Sequence, residues 1–149
     1  MTEYQKLMVD WAVVQSKYST LFSGPNIGTE VNRGWWDPLL KAFDSFLVLL
    51  EQNPGLSLNI VQIKEKFGGL RLYYDLEVDD TSELAEQLKS GAKSREQLFK
   101  LFRAVVVIAE DECAVRCEVC GEPGKLRHGG WMHTYCDAHE QQYKAQRNL

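Results

Sequence analysis

The stretch "LNIVQIKEKFGGLRLYYDLEV", residues 58–78, places two runs rich in β-branched and aromatic residues on either side of Gly68-Gly69. Such runs around a pair of glycines read as an antiparallel hairpin with a two-residue primed turn. With Gly68 and Gly69 as the turn, Phe67 faces Leu70, Glu65 faces Leu72, Ile63 faces Tyr74 and Val61 faces Leu76. That face is apolar except for Glu65, whereas the other carries Lys66 with Arg71, Lys64 with Tyr73, and Gln62 with Asp75. A period of two that survives across both strands assigns one side to a core and the other to water or a partner. A carboxylate on the core side has to be paired, because an unpaired buried charge is costly; an arginine is the expected partner of Glu65.

Helices are available to cover the apolar side. Tyr4, Leu7, Met8, Trp11, Val14 and Tyr18 recur at helical spacing. A second helix starts where Asp37 caps and Pro38 takes the first position, runs on a stripe of Leu39, Phe43, Phe46, Leu47 and Leu50, and stops at Asn53-Pro54-Gly55. Asp80 with Glu83 and Ser94 with Gln97 resemble capping pairs. The first pair opens a short helix and the second a longer one through "LFKLFRAVVVIAEDEC". The β-branched Val105–Ile108 run would suit a strand, but length and capping favour a helix.

The chain has 149 residues and is 44% hydrophobic, enough for one globular domain with a core. A formal charge of -4 and a pI near 5.4 argue against a general nucleic-acid or anionic-membrane binder. The N-terminus lacks a secretory signal pattern, and the longest apolar run is too short to span a bilayer. Bunched cysteines read as metal binding in a reducing compartment, so the expected location is the cytoplasm.

Those cysteines lie in "CEVCGEPGKLRHGGWMHTYCDAH", residues 117–139. Cys117 and Cys120 form C-x2-C closed by Gly121, and Cys136 and His139 form C-x2-H at the start of a terminal helix. Zinc takes four such donors in a tetrahedron, and pairs on tight turns deliver them. The helix start also favours a thiolate at Cys136. Knuckle, short hairpin and ligand-bearing helix together describe a treble-clef finger. The quartet Cys117, Cys120, Cys136 and His139 is thus expected to hold a structural Zn2+, with His133 as the rival fourth ligand. Cys113 reads as a small buried residue and His128 as a loop residue.

"GWWDPLL", "VQIKEKFGGLRLYY" and the cysteine segment together resemble a group of small uncharacterised proteins of bacteria and their phages, over about residues 34 to 140. The resemblance implies that hairpin and zinc module form one unit. It carries no activity with it. A phage setting implies interference with a host protein.

The expected architecture is α+β: helices on one face of a small antiparallel sheet in residues 1–112, and a treble-clef module in 113–149 docked on that core. The expected function is non-catalytic protein binding, as an inhibitor or adaptor, through Lys64, Lys66, Arg71 and Tyr73 on the outer hairpin face with Trp36 nearby. Nucleic-acid binding is the first alternative, with Lys64, Lys66, Arg71, Lys125 and Arg127 on phosphates. A metal-dependent nuclease or hydrolase using His133 is the second. No membrane partner is expected.

Overall fold

A computed structural model describes residues 3–25 and 27–147. It is α+β, with five helices packed on two small antiparallel sheets. Helix α1 (Glu3–Lys17) and a 3-10 turn (Ser19–Leu21) lead through a loop to a second 3-10 turn (Arg33–Trp35), which runs directly into α2 (Trp36–Gln52). The hairpin β1 (Leu56–Lys66) and β2 (Gly69–Val78) follows, then α3 (Glu83–Ser90) and α4 (Arg95–Ala114). The C-terminal segment holds β3 (Lys125–Arg127), β4 (His133–Tyr135) and α5 (Asp137–Gln146). Among the described residues no helix is long and apolar enough to cross a membrane.

The hairpin keeps the expected faces but not the expected turn. Lys66 pairs with Gly69, Glu65 with Leu70, Lys64 with Arg71 and Ile63 with Leu72, so the turn residues are Phe67 and Gly68. Relative to a Gly68-Gly69 turn, each β1 residue from Gln62 to Lys66 meets a partner two positions earlier on β2. A shift of two preserves side-chain parity, which is why Ile63, Leu70 and Leu72 remain buried. Phe67 is the exception. It leaves the strand for a left-handed turn position at φ 55 and is 64% exposed, where a core role was expected. A bulge between Ile60 and Gln62 then rotates the rest of β1. Ile60 and Leu58 become buried, and Val61, expected opposite Leu76, turns outward.

Core packing follows from two helices lying on that inner face. Phe46 of α2 sits between Tyr74 of β2, at 5.5 Å, and Phe102 of α4, at 6.0 Å between ring centroids. Trp11 of α1 closes the other end against Phe43 and Trp36. Trp11 and Tyr18 are buried as the helical spacing predicts and Val14 is partly so; the side chains of Tyr4, Leu7 and Met8 lie outside the described residues. Trp36 corrects an expectation. It is only 8% exposed, packs 5.5 Å from Trp11 and lies under the Arg33 guanidinium, so it belongs to the core and offers no partner surface.

Two helix starts also differ from the expected pattern. Helix α2 begins at Trp36 with Trp35 as N-cap and no side-chain cap, because the preceding 3-10 turn already orients the chain. Asp37 falls inside the first turn, where its charge favours the helix dipole. In α3 the capping oxygen is Ser82 Oγ, which accepts from Ala85 N at 3.1 Å, and Asp80 lies outside the cap. Ser94 does cap α4, accepting from Gln97 N at 3.2 Å, and Val105–Ile108 are helical.

Candidate metal centre

Local chain geometry brings the four expected ligands together. After α4 the backbone forms a knuckle in which Gly121 N donates to Cys117 O at 2.9 Å and Cys117 N donates to Glu122 O at 2.8 Å. Gly121 takes φ 80 there, a conformation that costs a side-chain-bearing residue about 1–2 kcal/mol. The β3–β4 hairpin then returns the chain to α5, whose N-cap is Cys136. The Cys136 sulfur accepts from His139 N at 3.4 Å, and this hydrogen bond leads the effects that pull the thiol down to about 7.

The donor atoms of Cys117, Cys120, Cys136 and His139 all lie within 4.8 Å of one another. Cys117 Sγ is 3.6 Å from His139 Nδ1, Cys136 Sγ is 3.2 Å from it, and Cys120 and Cys136 sulfurs are 3.9 Å apart. A tetrahedral site with metal–ligand bonds of about 2.0–2.3 Å has edges of roughly 3.3–3.8 Å. The three pairs just given stand close to those edges, and the quartet, with the donor chemistry for it, can hold a metal.

His133 has other work. It is 2% exposed, its Nε2 lies 2.8 Å from Glu140 Oε1, and its Nδ1 lies 2.9 Å from the Trp131 carbonyl. Both nitrogens thus face acceptors away from the quartet. The rings of Trp131, Tyr135 and Tyr143 surround it, with centroids 4.2–4.6 Å from its own. Arg127 is similarly committed. Its guanidinium donates to Tyr135 O at 2.9 Å and Asp137 Oδ1 at 2.8 Å, and it stands 3.7 Å from Glu140. An arginine held on three sides is poorly placed for phosphate contact. Cys113 is fully buried, with its thiol pushed up to about 12 by burial, and His128 lies in the loop after β3, both as expected.

What spacing alone did not reveal is how the centre is joined to the rest of the molecule. Gly34 N donates to Glu118 O at 2.9 Å and Trp35 Nε1 donates to Arg116 O at 2.9 Å, so the loop before α2 lies on the knuckle. The hairpin tip reaches the same place: Thr134 Oγ1, on β4, donates to Gly68 O at 2.7 Å. Glu118 completes the join, because its carboxylate accepts from Thr134 N at 2.7 Å while its own N donates to Thr134 O at 3.0 Å. Burial raises the Glu118 carboxyl to about 7, and the nearby Glu65 carboxylate adds to the shift against the pull of the Thr134 N–H. Glu65 itself does not pair with an arginine as expected; its Oε1 accepts from Gly68 N at 2.7 Å and stiffens the turn.

Replacing Thr134 by valine tests this join. The swap keeps shape in a site that is 1% exposed but strands the Gly68 carbonyl, at a cost of about 1–3 kcal/mol. Urea unfolding should show a lower midpoint at an unchanged m-value.

Lys64, Lys66, Arg71 and Tyr73 share the outer face of the hairpin, with the Lys64 ammonium 5.9 Å from the Tyr73 ring centroid. Lys66 and Tyr73 are exposed, and Lys64 and Arg71 partly so. No protein-family model, curated protein or solved structure matches the chain.

Proposed function

We propose that this protein is a zinc-stabilised, non-catalytic binding protein of the cytoplasm that presents its hairpin to another protein. Zinc is favoured by three sulfurs and one imidazole within 4.8 Å of one another. Four protein donors leave no position for water or substrate, so the bound ion would hold the chain in place rather than react. Knuckle, hairpin and ligand-bearing helix then follow the treble-clef plan.

The observation that carries the binding reading is Phe67. A bulky aromatic at φ 55 bears a backbone penalty of about 1–2 kcal/mol, and at 64% exposure its ring recovers little of that by burial. A partner that covers the ring supplies the missing burial. Lys66 lies over the same ring at 5.5 Å, and Lys64 and Arg71 continue the basic strip down the strands. An acidic partner surface with an apolar recess is complementary to this tip, in keeping with the inhibitor or adaptor role expected from the sequence.

The test is affinity capture from the native host with three baits. Wild type should retain a defined protein, and Lys64→Glu with Arg71→Glu should lose at least tenfold of it. Phe67→Gly should lose it too, while gaining about 1 kcal/mol of stability from a relaxed turn. Equal retention by all three baits would defeat the reading. Retention of nucleic acid that falls steeply with salt would instead favour phosphate binding.

A further inference from the structure

Helix α4 carries two apolar faces. Leu98, Phe102, Val106, Ala109 and Cys113 pack into the core. A second stripe, Leu101, Ala104 and Ile108, is exposed and recurs at i, i+3 and i+7, with the half-buried Val105 joining it to the core. Leu101 is 51% and Ile108 60% exposed. Beside the stripe, Val105 and Ile108 form one wall of a groove of about 380 Å³ whose other wall includes Pro38 and Ala42 of α2.

The charges on α4 indicate what covers this face. Its first half carries Arg95, Lys100 and Arg103 against Glu96 alone, and its second half carries Glu110, Asp111 and Glu112 with no base. Arg103 pairs with Glu110 and Glu112 with Lys41 of α2, which leaves Lys100 and Asp111 to set the orientation. An antiparallel copy sets these two against each other, whereas a parallel copy sets like against like. Lys100 and Asp111 are eleven residues apart, about three full turns, and so border the stripe on the same flank. A two-fold axis near Ala104–Val105 stacks Leu101 on the second copy's Ile108 and brings Lys100 to the second copy's Asp111. Asp111 has no ion pair within its own chain among the described residues, and Lys100 has only the exposed i,i+4 contact with Glu96.

We infer that the protein forms a two-fold homodimer through antiparallel contact of α4 with α4 of a second copy. The interface is self-complementary, as closed two-fold symmetry requires. The inference does not depend on the zinc or hairpin readings.

Sedimentation equilibrium of the full chain decides it. Wild type should show a concentration-dependent monomer–dimer equilibrium. Ile108→Glu should be monomeric with unaltered circular dichroism and metal content, because the residue already faces water. Lys100→Asp and Asp111→Lys should each weaken dimerisation roughly tenfold, since symmetry makes every such change twice. The double exchange should restore it. A monomeric wild type at the highest soluble concentration, a dimer that survives Ile108→Glu, or a double exchange that fails to restore association would each overturn the inference.

Discussion

Thorough chelation at neutral pH should unfold the segment after α4 and lower the melting temperature by about 10 °C or more. Metal analysis of the protein as purified should return one zinc per chain, and Cys117→Ser should purify with far less. The size of the effect follows from what the segment lacks. Among the described residues no member of the main hydrophobic core lies beyond Cys113. The buried residues past that point are Cys117 itself and the polar Glu118, His133, Thr134 and Glu140. Hydrogen bonds among polar groups add only about 1 kcal/mol each, and ordering each residue costs as much or more. Ligation in small zinc modules contributes an apparent 10–16 kcal/mol, comparable with the whole stability of a domain. Without the ion, four donors that all lie within 4.8 Å of one another also lose the one centre that would attract them all. Far-UV circular dichroism should retain the signal of α1 to α4, while near-UV bands from Trp131 and its neighbours should collapse. A protein that keeps its melting point after chelation, or never contains metal, would end the zinc reading.

The metal quartet was legible because each of its pairs is a short-range pattern: two donors on one tight turn, two at a helix start. The hairpin faces were legible for a related reason, since alternation of side chains tolerates a shift of two. Local sequence could not place the turn. Gly68-Gly69 is the more favourable primed pair, yet Phe67-Gly68 is used. The cause lies 66 residues away, where Thr134 binds the Gly68 carbonyl. Residue Gly68 also packs so close to the second hairpin that a Cβ there would fall 2.4 Å from Leu126 Cδ1. His133 has the same explanation: its Glu140 partner lies across a strand-to-helix crossing, and only the folded chain shows that both nitrogens are taken. Trp36 looked like a surface residue because its covering ring, Trp11, comes from another helix. The segments "GWWDPLL", "KFGG" and "CEVC" each have an unremarkable local reading, and their connection is spatial: Gly34, Gly68 and Glu118 are joined by backbone and side-chain hydrogen bonds around β4 and the knuckle.

Gly34→Ala should therefore be among the most damaging single substitutions outside the ligands. A Cβ at this position would fall 2.1 Å from Cys117 O, 2.5 Å from Glu118 O and 2.6 Å from Glu118 C. All three are backbone atoms, so no side chain can rotate out of the way. Overpacking costs about 1–3 kcal/mol where neighbours can adjust, and a loss of about 3 kcal/mol or more is expected here. Gly34 is not among the residues with positive φ, so crowding alone is at work and no backbone strain confuses the result. The clash presses on the peptide that carries Cys117, and relief requires either the loop or the ligand to move. If the ligand moves, zinc affinity measured against a competing chelator falls at least tenfold along with the melting temperature. If the loop moves, the Gly34–Glu118 and Trp35–Arg116 hydrogen bonds break, and stability falls with affinity intact. Trp35→Phe helps to separate the two, because it adds no atom and removes the second hydrogen bond, at about 1–3 kcal/mol once the cavity left by the fully buried indole is included. Wild-type stability and wild-type affinity in Gly34→Ala together would mean that this loop does not lie on the knuckle, and the link from α2 to the metal centre would have to be abandoned.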